Sequence, residues 1–321
     1  MVYPWSSGFG TKFADPATVP AAGGTSVAFS PQGDAVALGH AYNQFSVYQW
    51  SSSGYGTKFA GPIGFTGGEK DVASFSPSGD VIACCSTQGI FVYPWSNSGF
   101  GTKFASPIGV SGKVTDASFP SSGDTIALAL RNSPYIAVYP WSGSGFGTKY
   151  SNPATLPSVS ESYSVAFSPS GDAISHGGQP ESGSGMSVYP WSGSGFGTKF
   201  TNPGGVPDAP IYRTTFSPSG NALASAFFSY GAVNGLNVWQ WSGSGFGTKF
   251  ADPSPALSSQ DSVAFSPLGD AIAVVAGYSS PSMNAYPWSG SGFGARFANP
   301  ATMPAVAALG SLLSLNFGTI Q

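Results

Sequence analysis

The chain has 321 residues, of which 11 are Lys or Arg and 14 are Asp or Glu, for a formal net charge of −3. Charged residues make up 8% of the sequence, against ~25% in an ordinary soluble domain, so the basic footprint of a nucleic-acid binder is missing. Hydrophobic residues at 41% argue against wholesale disorder, and no apolar run reaches the roughly 18 residues that would predict a membrane-spanning helix.

The chain opens with MVYPWSSGFGTKF. No basic stretch precedes an apolar run there, so no secretory signal is predicted, and a cytoplasmic or virion-associated location is the expectation. The tryptophan of this segment, Trp5, starts a series that continues at Trp50, Trp95, Trp141, Trp191, Trp241 and Trp288. Each opens a version of WSxSGFGTKF. Between successive copies lies a second motif, SPxGD. It stands at Ser30–Asp34, Ser76–Asp80, Ser168–Asp172 and Ser266–Asp270, with variants at Pro120–Asp124 and Ser217–Asn221.

Each period holds four strand-like runs, here called a to d. In the first full period they are SVAFS (Ser26–Ser30), DAVAL (Asp34–Leu38), FSVYQW (Phe45–Trp50) and GTKFA (Gly56–Ala60). Turn signals separate them, and nothing shows helical periodicity over ten or more residues, which predicts an all-β array. Ala305–Leu315 is the single helix-like stretch, and Gly310 interrupts it. Four antiparallel strands in about 40–50 residues is the pattern of a β-propeller blade. One such sheet cannot bury both of its faces, and packing blades around an axis solves that. A linear β-solenoid is the alternative.

The run SVAFSPSGD, followed by an apolar strand and then a strand ending in an aromatic and Trp, resembles the WD-repeat propellers. Two departures stand out. Ser follows the Trp where the family has Asp, and with two histidines in the chain, His40 and His176, the family's His/Asp network is not expected. The near-identical YPWSGSGFGTKF copies also resemble the highly repetitive propellers of aquatic phages and environmental sequences, which implies a viral or environmental source and no assigned activity.

The count of copies predicts a single domain over residues 1–321. Its seven four-stranded blades would be closed by strands from both termini, with 1–13 and 305–321 together forming the closing blade. The alternative is six blades with incomplete or exchanged terminal strands.

Most repeated residues read as structural. Pro and Gly in SPxGD suit a tight a–b turn. Its Asp reads as an acceptor for backbone N–H groups, because a calcium loop needs several oxygen ligands at once. GSGFG lacks the helix that a phosphate-cradling loop requires. The tryptophans and tyrosines of YPW read as wedges between blades rather than sugar-stacking platforms. Lys12, Lys58, Lys103, Lys149, Lys199 and Lys249, with Arg296 in the seventh copy, read as solvated heads on aromatic-backed stems, facing the turn Asp. The alternative is a basic ring at one rim. Cys84 and Cys85 are adjacent and predict no disulfide framework. No metal site and no cofactor is predicted.

The a–b and c–d turns are near-identical from copy to copy, whereas the b–c and d–a loops differ in each. One face is therefore variable, which predicts a binding face there; drift on a permissive face gives the same pattern. Asp71, Asp116, Tyr163, Arg213 and Asp261 lie three or four residues before the strand-a Phe, at the predicted channel mouth on that face. With Tyr42, Tyr135 and Tyr230 from the variable loops, they form the candidate ligand-binding set, suited to a cation or a polar ligand such as a glycan. The expected function is a non-enzymatic binding propeller that recognises a glycan, a cell surface or a protein partner. The alternatives are a structural or assembly scaffold and a glycoside hydrolase, which would need two facing carboxylates. Nothing fixes the oligomeric state, and a monomer is the default.

Overall fold

The computed structural model describes residues 1–20, 23–40, 45–68, 72–228, 234–276 and 282–302. These residues form six antiparallel sheets, each a meander whose strands follow chain order. Blade one contains Gly24–Phe29, Ala35–His40, Phe45–Ser51 and Gly54–Lys58. Blade two contains Val72–Phe75, Val81–Ser86, Gly89–Ser96 and Gly99–Phe100. Blade three contains Val114–Ser118, Thr125–Leu130, Ile136–Ser142 and Gly145–Phe146. Blade four has three strands, Val159–Phe167, Ala173–Pro180 and Met186–Pro190. Blade five contains Ile211–Phe216, Ala222–Phe227, Leu236–Ser242 and Gly245–Lys249. Blade six contains Ser262–Phe265, Ala271–Val275, Met283–Ser289 and Gly292–Phe293. Strand a of each blade lies beside strand a of the next, so these strands are innermost.

The core is a series of layers between blades. One apolar cluster joins blades one and two, another two and three, and the series continues to blades five and six. Strand b is covered on both sides by this stacking. TIALAL (Thr125–Leu130) is buried at every position, which explains why strand b reads as a continuous apolar run rather than an alternating one.

The expectation of seven complete blades is corrected: six are present among the described residues, as in the alternative reading. Residues 305–321, expected to supply the inner strands of the closing blade, lie outside the described residues. Among the described residues, 2–13 make a single bridge, Trp5 to Phe9. They occupy the place between blades six and one. Val2 and Phe13 pack on Val36, Tyr48 and Trp50 of blade one, and Trp5 packs on Phe297.

This segment completes an aromatic ring at the outer rim. The aromatic of each GTKF run meets the Trp of the next repeat edge-on. The pairs are Phe13–Trp50, Phe59–Trp95, Phe104–Trp141, Tyr150–Trp191, Phe200–Trp241, Phe250–Trp288 and Phe297–Trp5, with centroids 4.9–5.2 Å apart. Such edge-to-face pairs each contribute about 0.5–1.5 kcal/mol beyond their buried area. The YPW tyrosines add a second pin. Tyr48, Tyr93, Tyr139 and Tyr189 donate to the carbonyls of Thr18, Ile63, Ile108 and Thr155 in the preceding d–a loop, at 2.7–3.2 Å. The aromatics are thus wedges and anchors, as expected.

The outer strand differs from the expectation. GTKF pairs as a five-residue strand in blades one and five, but in blades two, three and six the outer strand has two residues. The cause is one residue of strand c. Blades one and five carry Gln49 and Gln240 where the others carry Pro94, Pro140, Pro190 and Pro287. The amide of the following Trp, for example Trp50, donates inward to Asp34, so the amide before it faces the outer strand. Proline has no such N–H.

Candidate functional site

The meander order puts the a–b and c–d turns on one face and the b–c and d–a loops on the other. The first face is uniform. In its SPxGD turns the buried Ser, not the Asp, caps the backbone. Ser168 Oγ accepts from the amides of Asp172 and Ala173 at 3.1 and 3.0 Å and donates to Asp172 Oδ1 at 2.7 Å. Ser30 and Ser266 do the same. The Asp therefore receives hydroxyl bonds, and those from Ser170 and Ser168 hold the Asp172 carboxyl below the usual range. Four of the Lys heads are held elsewhere, not at these turns. Lys12 and Lys249 pair with Asp15 and Asp252 three residues on, each at 2.6 Å, and both pairs are solvent-exposed; Lys149 bonds Asn152, and Lys103 lies over the Phe91 ring at 5.0 Å. An open groove of about 680 Å³ lies on the rim between Ala251–Pro255 and Ser291–Arg296, away from the residues below.

The variable face is not uniform, and blades three to five differ most. Strand a is bulged in each, as it is in blade one between Gly24 and Ser26: between the partners of Ala129 and Leu130, between Val159 and Glu161, between Ser162 and Ser164, and between Ile211 and Arg213. A bulge adds an unpaired residue and re-aims its side chain. Two of the added residues are Tyr163 and Tyr212, whose rings meet at 5.3 Å. Phe228 extends the row, 6.4 Å from Tyr212. All three rings are half-buried. Burial, then the Glu161 carboxylate, push the Tyr163 hydroxyl up to about 12, so it is a hydrogen-bond donor at neutral pH.

Two ion pairs flank the row. Arg213 of blade five reaches past blade four to Asp116 of blade three, Nη1 to Oδ2 at 2.8 Å. Asp116 is 2% exposed, and its Oδ2 also accepts from the Val165 amide at 3.1 Å. Burial raises the Asp116 carboxyl, and Arg213 pulls it back down. On the other side Arg131 pairs with Glu161, and both are partly exposed. Each guanidinium uses one donor nitrogen in its pair of the five N–H groups it carries, so each retains N–H groups for a ligand.

Beneath this row lies a buried dyad. Ser162 Oγ donates to the Tyr135 carbonyl at 2.8 Å and meets His176 Nε2 at 2.6 Å. The Ser proton is used, so His176 donates from Nε2, and its buried Nδ1 has no partner. Burial lowers His176 to about 3. A base that weak, on a serine sealed from solvent, is a structural element and not a nucleophile pair. The dyad holds Tyr135, the one non-glycine among the described residues with positive φ, at 67°. Such a conformation persists where surrounding bonds fix it; here the Tyr135 amide bonds Asn132 and its carbonyl accepts from Leu130.

Of the candidate set, Asp116, Tyr135, Tyr163 and Arg213 converge on blades three to five. Asp261 does not. It is buried in blade six, where its amide donates to Val275 at 2.8 Å. Tyr42, Asp71 and Tyr230 lie outside the described residues. Sequence reasoning missed Tyr212, Phe228, Ser162 and the role of His176. The signal for Tyr212 was available, because Tyr212 stands four residues before its strand-a Phe, as Tyr163 does. Among the described residues no three His, Cys, Asp or Glu side chains gather in a way that could hold a metal ion, and no helix is long and apolar enough to cross a membrane.

No family model matches the chain, and no curated protein does. The chain is similar in fold to the β-propeller domain of Myceliophteria thermophila Cps50 (Swd1). The TM-score is 0.62 with 14% identity over 89% of this chain and 90% of that one. This similarity shows a WD-repeat-like β-propeller fold.

Proposed function

We propose that this chain is a non-enzymatic recognition propeller whose ligand rests on the variable face across blades three to five. The observation that carries the reading is the Tyr163–Tyr212 pair. Two bulges in neighbouring inner strands bring aromatic rings together at one place of an otherwise repetitive ring. Ring faces with guanidinium donors beside them suit a polar, ring-bearing ligand, of which a glycan is the first choice and a protein loop the second. The test is binding of labelled protein to a broad glycan array and to whole bacteria, comparing the native chain with Tyr212→Ala. Saturable binding weakened at least tenfold by the substitution is expected. Binding that Tyr212→Ala leaves unchanged overturns the assignment.

A scaffold role is the second reading. It is favoured by the opposite face, where c–d turns present paired hydroxyls, among them Ser96–Ser98 and Ser142–Ser144 at 2.7 and 2.8 Å. A repetitive surface of this kind suits packing against identical neighbours. Ordered assemblies without any ligand would favour it.

A further inference from the structure

Four d–a loops in succession project an exposed aliphatic side chain from the variable face: Val19 at 65% exposure, Ile63 at 90%, Ile108 at 92% and Leu156 at 38%. In the loops before blades five and six the aliphatics turn inward, Val206 half-buried and Leu257 buried. We propose that this arc is a docking surface for a lipid bilayer with anionic headgroups. Ile63 and Ile108 enter the acyl region, and Lys58 and Lys103 meet the headgroups. The proposal does not rest on the ligand site across blades three to five.

Two observations carry it. First, the fold does not use the two isoleucines. Residues 62–64, 107–109 and 203–205 make the same Pro-x-Gly turn, with the glycine φ at 75°, 83° and 79°. The tip residue is Ile63, Ile108 and Gly204, so the third copy forms the turn with no side chain there. The carbonyls of Ile63 and Ile108 accept from Tyr93 and Tyr139 at 3.2 and 2.9 Å, which fixes the backbone and leaves the side chains in solvent. Exposed apolar groups repeated at matching sites point to a surface outside the chain. Second, the same two copies deprive their lysine of a partner. Three residues after the Lys or Arg stand Asp15, Asn152, Asn202, Asp252 and Asn299, but Gly61 and Ser106 in these two. Lys12, Lys149 and Lys249 bond that residue, whereas Lys58 and Lys103 make no ion pair among the described residues. Residues 56–68 and 101–112 each hold that lysine as their one charged residue; Glu69 and Asp71 lie outside the described residues. An apolar tip beside an uncapped cation complements hydrocarbon beneath anionic headgroups. Separate tips on neighbouring blades suit a flat surface, and the open groove lies elsewhere, between blades five and six.

The test is co-sedimentation of the full-length chain with vesicles of phosphatidylcholine alone and of phosphatidylcholine with about 30% phosphatidylserine. The native chain is expected to bind the anionic vesicles saturably, at least tenfold more tightly than the neutral ones. Ile63→Ser/Ile108→Ser is expected to weaken that binding at least tenfold with an unchanged Tm. Lys58→Gln/Lys103→Gln is expected to bind both kinds of vesicle equally. A native chain that sediments with neither vesicle overturns the proposal, as does binding that the isoleucine substitutions leave unchanged. Self-association that those substitutions abolish, without vesicle binding, assigns the arc to a second copy and also overturns it. A second readout needs no variant: amide exchange of the vesicle-bound native chain is expected to slow around Ile63 and Ile108, and unchanged exchange there refutes the docking. Tyr212→Ala is expected to bind vesicles as the native chain does, so failure of the glycan reading and failure of this one are read separately.

Discussion

Acidification tests the buried dyad. His176 sits at zero exposure with Nδ1 unpartnered, and burial lowers it from 6.5 to about 3. The native state therefore binds fewer protons than the unfolded chain between those two values, and stability falls as pH falls through that window. Each pH unit below 6.5 removes about 1.4 kcal/mol, so His176 alone costs about 3 kcal/mol by about pH 4.5. His40 is also buried and lowered, to about 4, and adds a similar slope. Asp116 acts with the opposite sign, because its raised value means stability falls as pH rises through the carboxylate range. The clean perturbation is His176→Leu, since Leu38 and Leu128 stand at the matching strand-b position of blades one and three. Urea midpoints at a series of pH values between about 7 and 4.5, for both proteins, give the difference. Asp116 and His40 are common to both and cancel. The expected result is a native slope steeper by about 1.36 kcal/mol per pH unit. Equal slopes would refute the assignment of His176 as a buried, unpartnered neutral base.

Three further outcomes are expected. Tyr139→Phe removes the bond to the Ile108 carbonyl and is expected to lower stability by about 0.5–1.5 kcal/mol, read as a drop in Tm with an unchanged far-UV spectrum. Ser168→Ala strands the Asp172 and Ala173 amides; a loss of about 1–3 kcal/mol is expected, measured as a shift in urea midpoint. Pro94→Gln supplies the missing outward amide and is expected to extend the outer strand of blade two to the length seen in blades one and five. Protection of the new backbone amide at position 94 from exchange would show it, and rapid exchange of that amide would sink the explanation.

The strands were legible because each repeat states its pattern again. Six strand-a runs, six SPxGD-type turns and the Trp series leave little freedom in where strands start. Closure was less legible, because Val2–Phe13 reads like any other c–d pair, and among the described residues it makes a single bridge. The outer-strand lengths were readable in principle from Gln49 and Gln240, since a missing N–H has a local consequence. The site was half legible. Counting back from the strand-a Phe reached Asp116, Tyr163 and Arg213, but those positions assume regular strands. Each bulge leaves the residue four before the Phe unpaired, so in blade five it is Tyr212, and not Arg213, that stands level with Tyr163. The Arg213–Asp116 pair crosses an entire blade, a distance no spacing rule measures. His176 lies inside strand b, opposite Val165, and nothing in its spacing points to Ser162.

The rim ring also sets an order of events in the cell. Residues 1–13 are synthesised before the blades they join, and Phe297, which receives Trp5, is made nearly last among the described residues. At ~5–20 residues per second, roughly 300 residues take about 15–60 s. Through that interval Trp5 waits for its partner while the other six joints, Phe13–Trp50 first among them, form downstream. Each nascent Trp is briefly a false home for Phe13, and each nascent GTKF aromatic a false home for Trp5. A ring built from interchangeable joints therefore reaches its native arrangement by the timing of emergence as much as by the chemistry of any one joint.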